Sequence, residues 1–188
     1  MITVLDKNTA LVLIDLQNMV VKMAPEHQVA PVIKNSAKLV AAFREARLPV
    51  VVVNVNPVGS AASKTRKDLV RPVSGTLPEN ALDIISEIKV EDGDIRITKQ
   101  TWNAFYETAL HAELQQKGIT GIVLAGVATS IGVEGTARSA NERGYHIAFA
   151  SDAMTDLIAE AHAHSFKYIF PRLGEVGTTD EIIEKLGK

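Results

Sequence analysis

Four short apolar segments place the strongest constraint on how this chain can fold. They are ALVLID (10–15), PVVVVNV (49–55), ITGIVLAG (119–126) and YHIAFAS (145–151). Each is nearly continuous in Val, Ile, Leu and Ala, which is typical of strands buried on both faces of a parallel sheet. Two weaker segments, 94–99 and 174–177, are predicted as a further strand and a short last strand.

Helical patterns alternate with these strands. Apolar residues recur at helical spacing in 30–47, and further helices are predicted over 103–118, 131–143 and 178–187. Strands that alternate with helices imply right-handed βαβ crossovers and a three-layer α/β/α sandwich. The sequence shows no repeat and no linker, so we expect a single domain over residues 1–188.

Composition excludes several classes of function. The 20 basic and 22 acidic residues give a net charge of −2, which argues against nucleic acid as the main partner. The apolar segments are too short to cross a bilayer, and the N-terminus lacks a signal pattern, so we expect a cytoplasmic protein without a membrane partner. The sequence contains no cysteine, which excludes disulfides, zinc–thiolate sites and thiol nucleophiles.

Two charged residues end strands of the predicted sheet. Asp15 ends the first strand and Lys99 ends the DIRITK strand. Both are therefore expected at the carboxyl edge of the sheet, where open α/β sheets bind ligands. Burial would raise the pKa of Asp15, and the two side chains would form an ion pair facing the ligand crevice. The simpler alternatives are that Asp15 caps or anchors the next segment and that Lys99 is solvated.

One long irregular stretch, residues 56–80, follows the second strand at the same edge. Loops of this length in a compact domain tend to be functional. Its basic residues form either a solvated face or a binding site for a substrate carboxylate. They are Lys64, Arg66, Lys67 and Arg71.

The turn after residues 119–126 carries small and polar residues. Thr129 and Ser130 are expected to cap the following helix, and the free amides of its first turn would form an anion site or oxyanion hole. Gly132 lies in the same turn, although glycine inside a helix costs about 1 kcal/mol relative to alanine. Either neighbouring atoms leave no room for a side chain at this position, or a side chain that would ordinarily stand here is missing. Gly135 is interpreted as close packing of the helix on the sheet.

The remaining candidates carry weaker signals. Trp102 and Phe105 follow Lys99 and either wall the pocket or pack at the start of the next helix. His162 and His164 are two residues apart, which places their rings on different helix faces and argues against a metal site there.

The motifs ALVLIDLQ, ITKQTWNAF, LAGVATSIGVEGTARSA and FASDAMTD, in this order, resemble those of the isochorismatase-like hydrolase family. That family also contains nicotinamidases and carbamoylsarcosine-type amidohydrolases, and the resemblance covers about Thr9 to Leu186. It implies a six-stranded sheet of order 3-2-1-4-5-6, a small-molecule substrate, no cofactor, and a homo-oligomer. The Asp and His metal ligands of nicotinamidases have no counterpart after Val55, so no catalytic metal is expected.

The resemblance also assigns site residues. Asp15 and Lys99 match the catalytic aspartate and lysine, and Gly132 matches the position where amidase members carry their cysteine nucleophile. A non-proline cis peptide is implied at Val127–Ala128, where it would aim the amides of residues 128–132 into the pocket. The expected substrate-binding residues are Gln17, Asn56, Trp102, Phe105, Val127, Ala128, Thr129 and Ile131.

Without cysteine a thioester mechanism cannot operate. Isochorismatases, which also have glycine at this position, cleave a vinyl ether and release pyruvate with a positioned acid and water. The resemblance thus favours a hydrolase of a small carboxylated enol ether with Asp15 as the acid. Isochorismatases differ at two places, with HDMQ for Ile14–Gln17 and glutamine for Asn56, so the substrate stays open. Two alternatives are a ligand-binding member without catalysis and amide hydrolysis by Asp15-activated water.

Thiol chemistry gives a direct test. Any native activity should be unchanged by iodoacetamide, because the chain has no cysteine to alkylate. A Gly132→Cys variant is expected to fold with little loss of stability and to carry a thiol of lowered pKa that reacts readily. Loss of native activity after alkylation, measured beside an untreated sample, would contradict the prediction.

Overall fold

The computed structural model describes residues 1–68 and 77–187 and contains a six-stranded parallel sheet. The strand order is β3-β2-β1-β4-β5-β6, which confirms the predicted order. The strands are β1 (Thr9–Ile14), β2 (Val50–Val55), β3 (Ile95–Lys99), β4 (Gly121–Val127), β5 (His146–Thr155) and β6 (Glu175–Gly177).

Helices connect the strands and cover both faces of the sheet. They are α1 (Asn18–Val21), α2 (Glu26–Glu45), α3 (Leu110–Gln116), α4 (Glu134–Glu142), α5 (Ala159–His164), α6 (Phe170–Leu173) and α7 (Thr179–Ile183). Short 3₁₀ helices occupy Ala61–Lys64 and Ser86–Ile88, and π-helical turns occupy Thr129–Val133 and Ser165–Ile169. No helix in the described part of the chain is long and apolar enough to cross a membrane.

The sheet separates two hydrophobic cores, as the three-layer prediction requires. Successive residues of a strand point to opposite faces, so Leu11 and Leu13 pack in the core under α2 and α7. Val12 and Ile14 pack in the other core, under α3, α4 and α6. Burial on both faces explains why the strand segments are continuously apolar.

Helix boundaries differ from the sequence prediction. The helix expected over 103–118 begins only at Leu110. The Asn103 side chain instead accepts a hydrogen bond from the Phe105 amide (2.8 Å), and Glu107 has a left-handed φ of 53°. A local side-chain bond thus competes with the helical hydrogen bonds. Helix α2 begins at Glu26, ahead of the expected 30–47 segment, and α7 ends at Ile183 rather than near residue 187.

Gly126 permits a close approach of the two central strands. It pairs with Ile14 across the β1–β4 contact and has a φ of +123°, a region that favours glycine. A Cβ at this position would lie 2.1 Å from the carbonyl oxygen of Ile14. The two strands could not end side by side with any larger residue here.

We predict that Gly126→Ala destabilises the protein by at least about 3 kcal/mol, because overpacking against a backbone oxygen adds to the strained φ. Gly93→Ala is the matched control, since no atom lies within 4 Å of its Cβ position. It should change the free energy of unfolding by less than about 0.5 kcal/mol. Urea denaturation measures both, and equal effects would contradict the close-approach argument.

Candidate active site

Asp15 and Lys99 form a buried ion pair at the carboxyl edge of the sheet. Lys99 Nζ lies 2.7 Å from Asp15 Oδ2 and donates a second hydrogen bond to the Thr101 carbonyl (3.0 Å). Lys99 is 2% exposed and Asp15 is 5% exposed. Strand β2 lies between β1 and β3, so the long lysine side chain extends past the end of β2 to reach the carboxylate. The predicted ion pair is therefore present, and both simpler alternatives are wrong.

The backbone at Asp15 turns sharply as β1 ends. Its φ is 52°, in the left-handed region that aspartate tolerates better than most residues. The Asp15 amide still donates to the Val53 carbonyl (2.9 Å), so the turn begins while the residue remains attached to β2. This conformation fixes the carboxylate at the strand end.

The two oxygens of Asp15 have different surroundings. Oδ2 accepts the bond from Lys99, whereas Oδ1 is buried without a hydrogen-bond partner among the described residues. Burial raises the pKa of Asp15 to about 6, and the Lys99 charge opposes this rise without cancelling it. A proton on this carboxyl group therefore sits on Oδ1.

Gly132 lies directly beside this pair. A Cβ on Gly132 would lie 3.2 Å from Asp15 Oδ2 and 3.7 Å from Lys99 Nζ, so its hydrogen faces both charged groups. The same Cβ would also lie 2.8 Å from Ile14 Cγ2, too close without a shift. The position is thus crowded by Ile14 and lies close against Asp15 Oδ2, while Lys99 Nζ is at ordinary contact distance. This crowding predicts a stability cost for Gly132→Cys, against the expectation that the variant fits with little loss.

The turn before α4 is π-helical, and most of its amides already have acceptors. Ser130 N donates to the Asp156 carboxylate (2.7 Å), and the amides of Ile131 and Val133 both donate to the Ala128 carbonyl (3.2 Å each). The expectation that these first-turn amides are free for an anion is wrong for all three. The predicted cis peptide between Val127 and Ala128 is present.

Two of the expected substrate-binding side chains are committed to the protein itself. Thr129 Oγ1 donates to the Thr155 carbonyl (3.1 Å) and contacts His162 Nδ1 (2.9 Å), and the residue is fully buried. Gln17 Nε2 donates to the Val55 carbonyl (3.0 Å), and its Oε1 accepts from the Val55 amide (2.6 Å). Both side chains therefore join segments of the fold, and their expected contact with a substrate is not favoured.

The two aromatic candidates, Phe105 and Trp102, differ in burial. Phe105 is buried and stacks on Tyr145 with ring centroids 5.7 Å apart, so it packs in the core instead of walling a pocket. Trp102 is 64% exposed and lies beside Gly135, whose Cβ would be 3.4 Å from the Trp102 Cβ. Gly135 thus allows close packing against the loop that carries Trp102. The expectation that it packs against the sheet is wrong.

The other expected site residues lie around the same edge. Val127 is buried at the end of β4, Ala128 is half-buried, and Ile131 is 38% exposed. Asn56 is half-buried; its amide donates to the Lys99 carbonyl (2.8 Å), and its side chain accepts from Val58 N (3.2 Å).

The basic residues predicted to bind a substrate carboxylate lie on the loop after β2 where the structure describes them. Lys64, Arg66 and Lys67 are exposed on the loop after β2, and Arg71 lies outside the described residues. In residues 1–68 and 77–187, no group of three or more His, Asp or Glu side chains is placed to hold a metal ion.

Asp156 is a site-region residue that sequence reasoning missed. It directly follows β5, is 5% exposed, and accepts hydrogen bonds from Ser130 N and from Ile158 N (3.1 Å). The sequence pattern that could have identified Asp156 is the one that identified Asp15, a carboxylate at the end of an apolar strand. Asp156 is also the last residue of the FASDAMTD motif.

A cavity of about 300 Å³ lies at the opposite, amino edge of the sheet, beside Asp6, Gly121 and Glu175. Its two carboxylates are already hydrogen-bonded, Asp6 to Thr120 and Glu175 to Thr3. The buried ion pair lies at the other edge, so we place the candidate active site there.

Comparisons with known proteins agree on one family. A profile of the Isochorismatase domain matches residues 9–181. The chain is 41% identical over 184 residues to YwoC of Bacillus subtilis (strain 168), an uncharacterized isochorismatase family protein, covering 96% of this chain and 95% of that one. It is 30% identical over 163 residues to Nicotinamidase 3 of Arabidopsis thaliana, covering 83% and 77%. The structure of an isochorismatase family protein from Burkholderia thailandensis superposes with a TM-score of 0.89, at 35% identity over 98% of both chains.

We predict that Gly132→Ala destabilises the protein by about 1–3 kcal/mol, because the new Cβ overpacks against Ile14 Cγ2. Ile14→Ala alone should cost about 2–5 kcal/mol as a cavity-forming change. In that background the Gly132→Ala substitution should cost measurably less, since its neighbour has been removed. Strict additivity of the two changes in urea denaturation would show that the Ile14 contact is not the cause.

Proposed function

This chain belongs to the isochorismatase family, and from that premise we propose that it hydrolyses a small carboxylated vinyl ether. In this proposal Asp15 is the general acid, and water attacks without a covalent nucleophile. The observation that carries the proposal is the buried Asp15 carboxyl group, whose Oδ1 has no hydrogen-bond partner in the described part of the chain. Its pKa of about 6 keeps a useful fraction protonated near neutral pH.

The reaction needs one proton and one water. Asp15 Oδ1 gives its proton to the terminal enol carbon, and the ether carbon becomes an oxocarbenium ion. Water adds to that carbon and returns a proton to the Asp15 carboxylate. The resulting hemiketal collapses, breaking the C–O bond to release an alcohol and a 2-keto acid such as pyruvate.

Lys99 has two roles in this scheme. An ammonium group has three N–H donors, and two of them are used by Asp15 and the Thr101 carbonyl. The third has no acceptor among residues 1–68 and 77–187 and is left for a carboxylate or hydroxyl of the substrate. By occupying Oδ2, Lys99 also keeps the transferable proton on Oδ1. Gly132 keeps a side chain from pressing on Asp15 Oδ2, which an added Cβ would approach to 3.2 Å.

The absence of cysteine supports vinyl-ether cleavage over thioester chemistry. Gly132 stands at the position where the resemblance puts the nucleophile of amidase members. Protonation of an enol ether needs no nucleophilic side chain, because the oxocarbenium ion is itself reactive toward water.

Amide hydrolysis is the second candidate, and similarity to Nicotinamidase 3 favours it. In that case Asp15 would act as a base toward water and would need to be ionised. The two candidates therefore predict opposite pH dependence. Acid catalysis is lost as pH rises through the Asp15 pKa, whereas base catalysis is gained over the same range.

We predict pyruvate release from isochorismate, a small vinyl ether with two carboxylates, measured by coupling to lactate dehydrogenase. kcat/KM should fall about tenfold per pH unit above about 6, because only the protonated Asp15 is active. Asp15→Asn should lower kcat by roughly 10²–10⁴-fold while the protein stays folded.

The matched control is Asp92→Asn, which changes an exposed carboxylate and should leave the rate unchanged. A rate that rises with pH through 6 on an amide substrate would favour the second candidate. No turnover of either substrate class, with folded protein, would favour a ligand-binding role and contradict both.

A further inference from the structure

We propose that Asp156 is a positioning residue that holds the π-helical turn Thr129–Val133, and with it Gly132, against the Asp15–Lys99 pair. This inference deepens the proposed function, because the position of the turn matters to chemistry only if Asp15 is the acid. The pKa of Asp15 reports on the surroundings of its carboxyl group, so the proposal can be tested whether or not a substrate is known.

The two oxygens of Asp156 connect separate segments. Oδ2 accepts from the Ser130 amide at 2.7 Å, and Oδ1 accepts from the Ile158 amide at 3.1 Å. Asp156 is 5% exposed, so both bonds lie away from water, where charge-assisted hydrogen bonds are strong. The carboxylate thus ties the turn after β4 to the segment between β5 and α5.

A second contact joins the same two segments. Thr129 Oγ1 donates to the Thr155 carbonyl, the last residue of β5, and must therefore accept from His162 Nδ1. Thr129 and Ser130 thus hold the turn through two consecutive residues at the end of β5, Thr155 and Asp156. The position of the turn therefore depends on the end of β5 as well as on the end of β4, which precedes it in the chain.

The π-helical turn shields Asp15 from water. Gly132 approaches so closely that an added Cβ would lie 3.2 Å from Asp15 Oδ2. Burial is the largest influence on the pKa of Asp15 and holds it near 6. If the turn moves outward, water reaches the carboxyl group, desolvation decreases, and the pKa falls.

Asp152 provides the matched control. It also lies on β5 and accepts two hydrogen bonds, from the amide and hydroxyl of Thr179 (2.7 and 2.8 Å). Those bonds hold the start of α7, on the face of the sheet that does not carry the π-helical turn. Its loss removes a carboxylate that, like Asp156, accepts a hydrogen bond from a backbone amide near the start of a helix, without touching the turn.

The experiment follows the Asp15 carboxyl carbon by NMR in protein labelled with [4-¹³C]aspartate, with its signal assigned by Asp15→Asn. In Asp156→Ala the pKa of Asp15 should fall from about 6 towards its ordinary value of 3.8, while in Asp152→Ala it should stay at about 6. Both variants should lower Tm, since each loses a carboxylate that accepts two hydrogen bonds. Asp156→Glu keeps the charge but displaces the carboxylate by one methylene, and should lower the Asp15 pKa as well.

Three results would overturn the proposal. One is an unchanged Asp15 pKa in a folded Asp156→Ala or Asp156→Glu protein. Another is an equal fall in both alanine variants, which would indicate general loosening of the fold. The third is a fall in Asp156→Ala with a wild-type value in Asp156→Glu, which would mean that charge and not position is responsible. If Asp156→Ala does not fold, Asp156→Glu decides alone.

Discussion

The buried ion pair of Asp15 and Lys99 is the arrangement on which the rest of the site depends. Removing two charges from water costs several kcal/mol per ion, and only close geometry and further hydrogen bonds offset that cost. Here the geometry comes from three parallel strands that end at one edge, with a lysine long enough to pass the middle strand. Because burial raises the Asp15 pKa above its ordinary 3.8, this group contributes less to folding stability as pH rises from about 4 to about 6.

Two glycines serve this site for different physical reasons. Gly126 is required by its backbone, since its φ of +123° and the Ile14 carbonyl leave no room for a side chain. Gly132 has an ordinary φ, and its reason is the neighbouring side chains, Ile14 on one side and the ion pair on the other. The first glycine lets the central strands end side by side, and the second lets the π-helical turn approach the Asp15 carboxyl group.

The chemistry proposed here follows from what the position beside the ion pair lacks. The family includes relatives named for amide hydrolysis, such as Nicotinamidase 3, and this chain shares their domain without any cysteine. A carboxyl group that is buried, partly protonated and, among the described residues, without a hydrogen-bond partner on one oxygen is suited to give a proton to carbon. It is less suited to replace a thiolate, because a carboxylate is a weak nucleophile toward an amide.

The sequence by itself determined the strands, the three layers, the exclusion of thiol chemistry and the pairing of Asp15 with Lys99, while the strand order came from the family resemblance. These features are encoded locally, because a continuous apolar run marks a buried strand and the strand direction sends its last residue to one edge. Only the tertiary structure decided which side chains are already occupied. Gln17 bonds to Val55, 38 residues away, and Ser130 bonds to Asp156, 26 residues away. A hydrogen bond forms wherever folding brings a donor to an acceptor. Partners that are far apart in the chain therefore cannot be predicted from a local sequence pattern.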